Sequence, residues 1–216
     1  MKHSTALFLL AASVLVSLRA PAVAEPIQFK LLPNQSRATF KTDAPLETIV
    51  GNAVGGGLSG TLAVDLAKPR GAVGSVRVDM SAVRTGIDKR DADMLDPRFL
   101  DVAAGDANKF VTFEMKSVEI AGPLEPGKAI PARVSGVLTI KQRPVSVVAD
   151  ALVTWVKLGP EYAEAQKRFG FTPDNVKIRA KFATTFTNHG MQVPQLLFLK
   201  VSDEIQLETD LTFVRQ

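Results

Sequence analysis

From Ile205 to Phe213 the chain alternates without a break. Ile205, Leu207, Thr209, Leu211 and Phe213 fall on one side, and Gln206, Glu208, Asp210 and Thr212 on the other. A period of two is the mark of a β-strand with one dry face and one wet face. The acidic wet face implies an antiparallel sheet exposed to water on one side, because strands buried between helix layers read as continuous apolar runs. A chain built from many such strands must wrap them around an apolar interior.

The same pattern recurs along most of the sequence. Strands are predicted over Ile27 to Leu31, Arg37 to Thr42, Leu46 to Val50, Leu58 to Leu66 and Gly74 to Met80. Others are predicted over Phe110 to Ile120, Ala132 to Ile140, Val145 to Lys157, Val176 to Thr187 and Glu204 to Phe213. Glycine, proline and asparagine punctuate most of the gaps, which fits an all-β barrel or sandwich. Two segments look helical. Ile87 to Leu95 is charged and stops before Asp96-Pro97, where the proline ring disfavours helix in the preceding residue. Pro160 to Phe169 opens on a first-turn proline and closes at Gly170. One or two short helices packed on the barrel are therefore expected, within one domain over residues 25–216.

The first residues are expected to leave before folding. Lys2 and His3 precede an apolar run from Ala6 to about Leu18, and Ala22 and Ala24 supply a small-x-small cleavage site. Residues 1–24 read as a signal peptide cut after Ala24. The run is shorter than the ~20 apolar residues that cross a bilayer, so a retained anchor and stable membrane insertion are not expected. The chain has no cysteine, hence no disulfide and no N-terminal thioether lipid. An exported, periplasmic protein is expected. Loss of Lys2 and Arg19 with the signal halves the formal net charge of +4. No clustered basic surface interleaved with aromatics is present, so nucleic acid is not an expected partner. Lys177, Arg179 and Lys181 align on one strand face, which reads as a solvated outer wall.

The inventory of reactive groups is short. With His3 removed, His189 is the only histidine, so neither a His-rich zinc site nor a cysteine nucleophile can be built. No Gly-x-Ser-x-Gly elbow is present. His189 sits in Thr187-Asn188-His189-Gly190, a turn composition, and reads as a turn residue whose replacement by alanine would cost at most about 1 kcal/mol. The cluster Asp88, Lys89, Arg90, Asp91 and Asp93 reads as salt-bridged capping of a short helix. No catalytic residue, metal or cofactor is expected, although a hydrolase using His189 is an alternative.

The inward faces define the candidate site. The expected ligand-facing residues are Phe40, Leu62, Val78, Phe113, Met115, Leu138, Ala151, Trp155, Ala180, Phe182, Phe186 and Leu207. Large aromatics beside Ala149, Ala151, Ala180, Gly60 and Gly136 imply uneven filling that could leave a tube. An eight-stranded barrel has room either to pack itself solid or to hold one slender ligand. The echoed blocks Leu58 to Val64 and Val134 to Ile140 each place a glycine two residues before an inward leucine. Glycine there permits a sharp bend or a close approach to the backbone.

Four blocks in register carry a resemblance. They are Gly57-Leu58-Ser59-Gly60-Thr61-Leu62-Ala63-Val64-Asp65-Leu66; Lys89-Arg90-Asp91-Ala92-Asp93-Met94-Leu95 with Phe99-Leu100-Asp101 and Phe110-Val111-Thr112-Phe113; Gly136-Val137-Leu138-Thr139-Ile140 with Pro144-Val145; and Phe182-Ala183-Thr184-Thr185 with the final strand. Together they resemble the YceI-like family of exported barrels. The resemblance implies an eight-stranded, antiparallel, lipocalin-like barrel whose pore holds an isoprenoid lipid such as a polyprenyl quinone, with no catalytic activity. The family's usual histidine after Arg-Asp is Asp93 here, and its Gly-x-Thr-Lys turn is shortened to Lys141-Gln142-Arg143. Its Arg-Ser-Asp-aromatic-Gly element is replaced by Asn188-His189-Gly190, and the segment Leu158 to Pro173 is longer than the usual connection.

An uncharged apolar ligand suits these faces, which carry no basic residue to anchor a fatty acid. Each buried methylene contributes about 0.8 kcal/mol, so one isoprene unit contributes roughly 3–4 kcal/mol before ordering costs. The expected function is a non-enzymatic carrier or store for an isoprenoid lipid. The competing alternative is a solid-cored barrel acting through its surface; a homodimer stays open.

Overall fold

The computed structural model describes residues 25–53, 55–196 and 199–216. The expected signal peptide and its cleavage site lie outside them. Eight strands close into an antiparallel barrel in the order β1 (Ile27–Leu31), β4 (Leu58–Val64), β5 (Val73–Asp79), β7 (Phe110–Ile120), β8 (Ala129–Ile140), β9 (Arg143–Lys157), β10 (Asp174–Thr185) and β13 (Glu204–Arg215). The β1–β13 pairing, Phe29 opposite Arg215 through Leu31 opposite Phe213, shuts the ring. Both predicted helices are present and short: α1 (Asp88–Asp93) and α2 (Ala163–Phe169).

Three walls are longer than the barrel ring. β1 continues into β2 (Arg37–Ala44) across a 3-10 turn at Pro33–Gln35. β3 (Glu47–Ala53) continues into β4 across Gly55–Gly57, and β5 into β6 (Val83–Arg84) across Met80–Ala82. Proline removes a ladder donor and glycine relaxes the backbone, so strands break there. Ser36 bridges the first break: its Oγ accepts the Thr212 N–H at 3.0 Å and donates to the Leu32 carbonyl at 2.8 Å. Beyond the breaks β2 pairs with β13, β3 with β2, and β6 with β3. A final hairpin joins β11 (Gln195–Leu196) to β12 (Leu199–Lys200).

The register bears out the alternation. Leu207 lies opposite both Phe182 and Phe40, Phe113 opposite Leu138 and Val76, and Ala180 opposite Ala151. Two buried clusters follow from these faces. The lower one, toward the closed end, gathers Phe29, Leu31, Leu58, Leu62, Val64, Val153, Val176, Leu211 and Phe213. The upper one gathers Leu100, Leu138, Ile140, Val147, Phe186, Met191 and Ile205. Trp155 sits at the closed end, where its indole N–H donates to Asp174 Oδ1 at 3.1 Å and Arg215 reaches the other oxygen at 2.9 Å. Among the described residues no helix is long and apolar enough to cross a membrane.

Candidate functional site

Above β5 and β7 the wall changes its construction. β6 pairs only with β3 on one side, and the space before the start of β7 is taken by residues 85–109. That segment folds across the mouth of the barrel. Phe99, Leu95 and Val102 pack on the upper cluster, and Leu100 belongs to it. The Lys141 Nζ donates to the Pro97 carbonyl at 2.8 Å, and Gln142 Nε2 to Asn108 Oδ1 at 2.8 Å. These two grips matter locally, because Lys141 and Gln142 form the two-residue β8–β9 turn with φ of 49° and 58°. Left-handed φ at both central positions is a hairpin geometry usually filled by asparagine and glycine. Here the two side chains spend their length holding the segment across the mouth.

The added segment widens the perimeter, and a cavity of about 860 Å³ opens at this end. Its apolar wall includes Phe40, Met80, Val111, Ile140, Phe186 and Ile205 from the barrel, with Phe99, Leu100, Met191 and Val201 from the segments laid across it. Charged residues are confined to the rim. Arg90 pairs with Glu47 at 2.7 Å, Lys89 with Asp93 at 3.0 Å, and Arg98 with Asp96 at 2.7 Å. The Thr85 hydroxyl and N–H both donate to Asp91 Oδ1, at 2.6 and 2.8 Å. Those bonds hold its carboxyl below the usual carboxylate value despite some desolvation. The acidic and basic run in α1 is thus a set of local pairs that pins the helix to the β2–β3 turn.

Of the residues expected to face a ligand, Phe40 and Phe186 line this cavity. Phe113, Leu138, Phe182 and Leu207 do not line it; Leu138 lies in the upper cluster and the other three pack against that cluster. Phe113, Leu138 and Leu207 each lie two residues along their strands from a lining residue, Val111, Ile140 and Ile205 respectively. Phe113 and Phe182 meet across the lumen with ring centroids 5.9 Å apart and a 42° tilt. The Phe113 ring lies where a Cβ on Gly136 would stand, and the Phe40 ring does the same over Gly51. The close approach expected at Gly136 is therefore made by an aromatic ring from the neighbouring strand. At Gly60 it is made by the Ser75 carbonyl, 2.5 Å from the position of a Cβ.

Leu62, Val78, Met115, Ala151, Trp155 and Ala180 belong to the lower cluster or pack against it, and none of them lines the cavity. Ala151 is buried in the lower cluster with Phe29, Leu31, Leu62, Leu211 and Phe213 from β1, β4 and β13. The barrel is thus filled below and open above. Sequence periodicity missed the walls at Phe99, Leu100, Met191 and Val201, which lie in segments with no strand pattern. Their apolar character between turn residues was the only available signal.

His189 is fully buried behind the mouth. Its Nδ1 lies 3.0 Å from the Arg143 carbonyl and its Nε2 2.8 Å from Thr184 Oγ1. A carbonyl only accepts, so Nδ1 carries the proton and Nε2 accepts from the Thr184 hydroxyl. Burial holds the imidazole below its ordinary value of 6.5, against the Arg143 hydrogen bond. Neither nitrogen is free to take a proton from a substrate, and His189 does not line the cavity. It closes a turn, as its sequence context implies, but as a packed core residue, so its replacement by alanine should cost more than the ceiling of about 1 kcal/mol that context alone implies. Among the described residues no group of three or more His, Cys, Asp or Glu is placed to hold a metal ion.

Comparisons with known proteins bear on this geometry. The model of the YceI-like domain family matches residues 29–213. A polyisoprenoid-binding domain from Saccharophagus degradans is similar in structure, with a TM-score of 0.64 at 14% identity, covering 88% of this chain and 99% of that one. BcnA from Burkholderia cenocepacia gives 0.60 at 15% identity, over 82% and 95%. A Campylobacter jejuni YceI protein gives 0.56 at 17%, over 77% and 84%. At these identities the structural likeness speaks for the fold. No curated protein sequence matches the chain.

Proposed function

The chain belongs to the YceI-like family, and from that premise we propose that it is an exported, non-enzymatic carrier or store for an isoprenoid lipid. The observation that carries the proposal is the cavity itself: about 860 Å³ at one end of a closed barrel, apolar in depth and charged only at its rim. Pockets of this size bury most of a ligand of a few hundred daltons. A prenyl chain would enter between Phe40, Val111 and Ile205, above the packed layer that holds Phe113 and Phe182. Two or three buried isoprene units, at roughly 3–4 kcal/mol each before ordering costs, give useful affinity without a charged anchor. A polyprenyl quinone fits this chemistry, its ring resting among the paired charges of the rim. The structurally similar Saccharophagus degradans domain, a polyisoprenoid-binding one, supports the same ligand class. The signal-like sequence of residues 1–24 supports export to the periplasm.

The test is solvent extraction of protein purified from a host that makes isoprenoid quinones, followed by mass spectrometry. Wild type should yield an isoprenoid lipid, and Val111→Trp should lower its occupancy while circular dichroism stays that of a β protein. Repeated recovery of wild type without lipid would end the proposal.

A further inference from the structure

The rim of the cavity has a second property that lipid storage alone does not require. Single exposed hydrophobic side chains are ordinary; several gathered at the rim of an apolar cavity mark a contact surface. Among the described residues Leu46 is the most exposed of them, at 84%, and Ile87 is 47% exposed; both line the mouth. Leu46 stands at the tip of the turn between β2 and β3, and Ile87 immediately precedes α1. The Arg90–Glu47 bridge ties the two elements together at 2.7 Å, so both apolar tips belong to one stretch of rim. Leu199, from the β11–β12 hairpin, also lines the mouth.

The charges around these tips decide what they could meet. Each cation lining the mouth is matched: Lys89 by Asp93, Arg90 by Glu47, Arg98 by Asp96. A collar whose lining cations are all paired, with Asp88 beside them, offers no long-range attraction to an anionic surface. It suits a surface that is electrically neutral outside and apolar just beneath. We propose that the mouth docks reversibly, rim first, on a zwitterionic phospholipid bilayer, with Leu46 and Ile87 seated among the headgroups and the cavity facing the acyl layer. Without a free basic patch, interfacial binding rests on the apolar area buried by such tips and is shallow and weak. The inference rests on the carrier reading for its purpose, since a lipid would then pass between bilayer and cavity without crossing water.

The experiment is flotation of the purified protein with phosphatidylcholine vesicles at millimolar lipid. Wild type should float in part. Leu46→Asp combined with Ile87→Asp should reduce the bound fraction about tenfold, because two apolar contacts are replaced by charges. Leu46→Trp should float at least as well as wild type, with an emission quenched by brominated lipid. Tyr162→Asp with Phe169→Asp, which removes exposed aromatics at the closed end, should float like wild type. Absence of wild-type flotation, equal flotation of the double-aspartate rim variant, or loss in the closed-end variant would each overturn the inference. So would binding confined to phosphatidylglycerol vesicles and released by salt, or a dimer in sedimentation that the rim variant dissolves. Lipid extraction is scored separately: protein that floats but carries no lipid refutes the carrier reading and leaves the docking surface standing.

Discussion

Acidification isolates a single group in this protein, His189. In a chain beginning at Glu25 it is the only histidine, and burial holds its folded imidazole below the ordinary 6.5. The unfolded chain therefore takes up a proton that the native state refuses. Stability from this source is fully present above 6.5 and is lost as pH falls below it, until the folded group titrates in turn. Where only the unfolded state is protonated, the slope is about 1.4 kcal/mol per pH unit. At about pH 5.5 the loss relative to neutral pH is therefore at most about 1.4 kcal/mol. The carboxyls held low by hydrogen bonds, Asp91 by Thr85, Asp96 by Arg98, Asp106 by Lys109 and Glu208 by Lys41, act in a different window. What they contribute is present above the unfolded carboxylate value, near 4, and is lost only as pH falls through their lower folded values. Urea denaturation followed by the fluorescence of Trp155, the only tryptophan, reads the difference. Wild type should lose stability between about pH 7.5 and pH 5.5, and His189→Gln should be flat there though less stable at neutral pH. Equal slopes in the two proteins would show that His189 titrates like a solvated imidazole, and the account of it as a buried, neutral turn residue would fall.

His189→Ala leaves the Thr184 hydroxyl and the Arg143 carbonyl without their partner and opens a void, so it should cost about 2–4 kcal/mol by denaturant titration. Gly136→Ala drives a methyl into the Phe113 ring and should cost about 1–3 kcal/mol, with Phe113→Leu in the same chain restoring part of the thermal midpoint. Phe182→Ala opens a void in the packed layer below the cavity; it should cost roughly 3 kcal/mol and, by lengthening the open space, shift the extracted lipid toward longer chains by mass spectrometry. Arg90→Gln breaks a solvated bridge to Glu47 and should change stability by no more than about 0.5 kcal/mol, visible as an almost unmoved melting curve.

Much of this molecule follows from a period of two. The run from Ile205 to Phe213 and the matching run at Val176 to Thr185 state which side chains face inward, because side chains alternate along a regular strand. In Phe110 to Ile120 a bulge between Met115 and Ser117 shifts that alternation, so that Val118 and Ile120 join Met115 on the inner face. The helix stop at Gly170 is equally local, being dictated by a left-handed cap at φ 79°; α1 ends earlier than Asp96-Pro97 implies, at Asp93. Ile27 to Leu31, Arg37 to Thr42 and Leu46 to Val50 read as separate short strands, but that the breaks at Pro33–Gln35 and Gly55–Gly57 divide continuous walls into a barrel half and a mouth half is visible only in the pairing. Where an inward side chain finds a filled or an empty lumen is not local information. Phe113 and Phe182 lie 69 residues apart in sequence and meet across the barrel, and Phe99 and Met191 become cavity walls only because their segments are laid over the mouth. The alternation by itself determined an inside and an outside. Only the closure of the ring, and the extra perimeter contributed by residues 85–109, decided that the lower interior packs solid while the upper one stays open. Strand periodicity records a residue's own face; free volume depends on every wall that surrounds it.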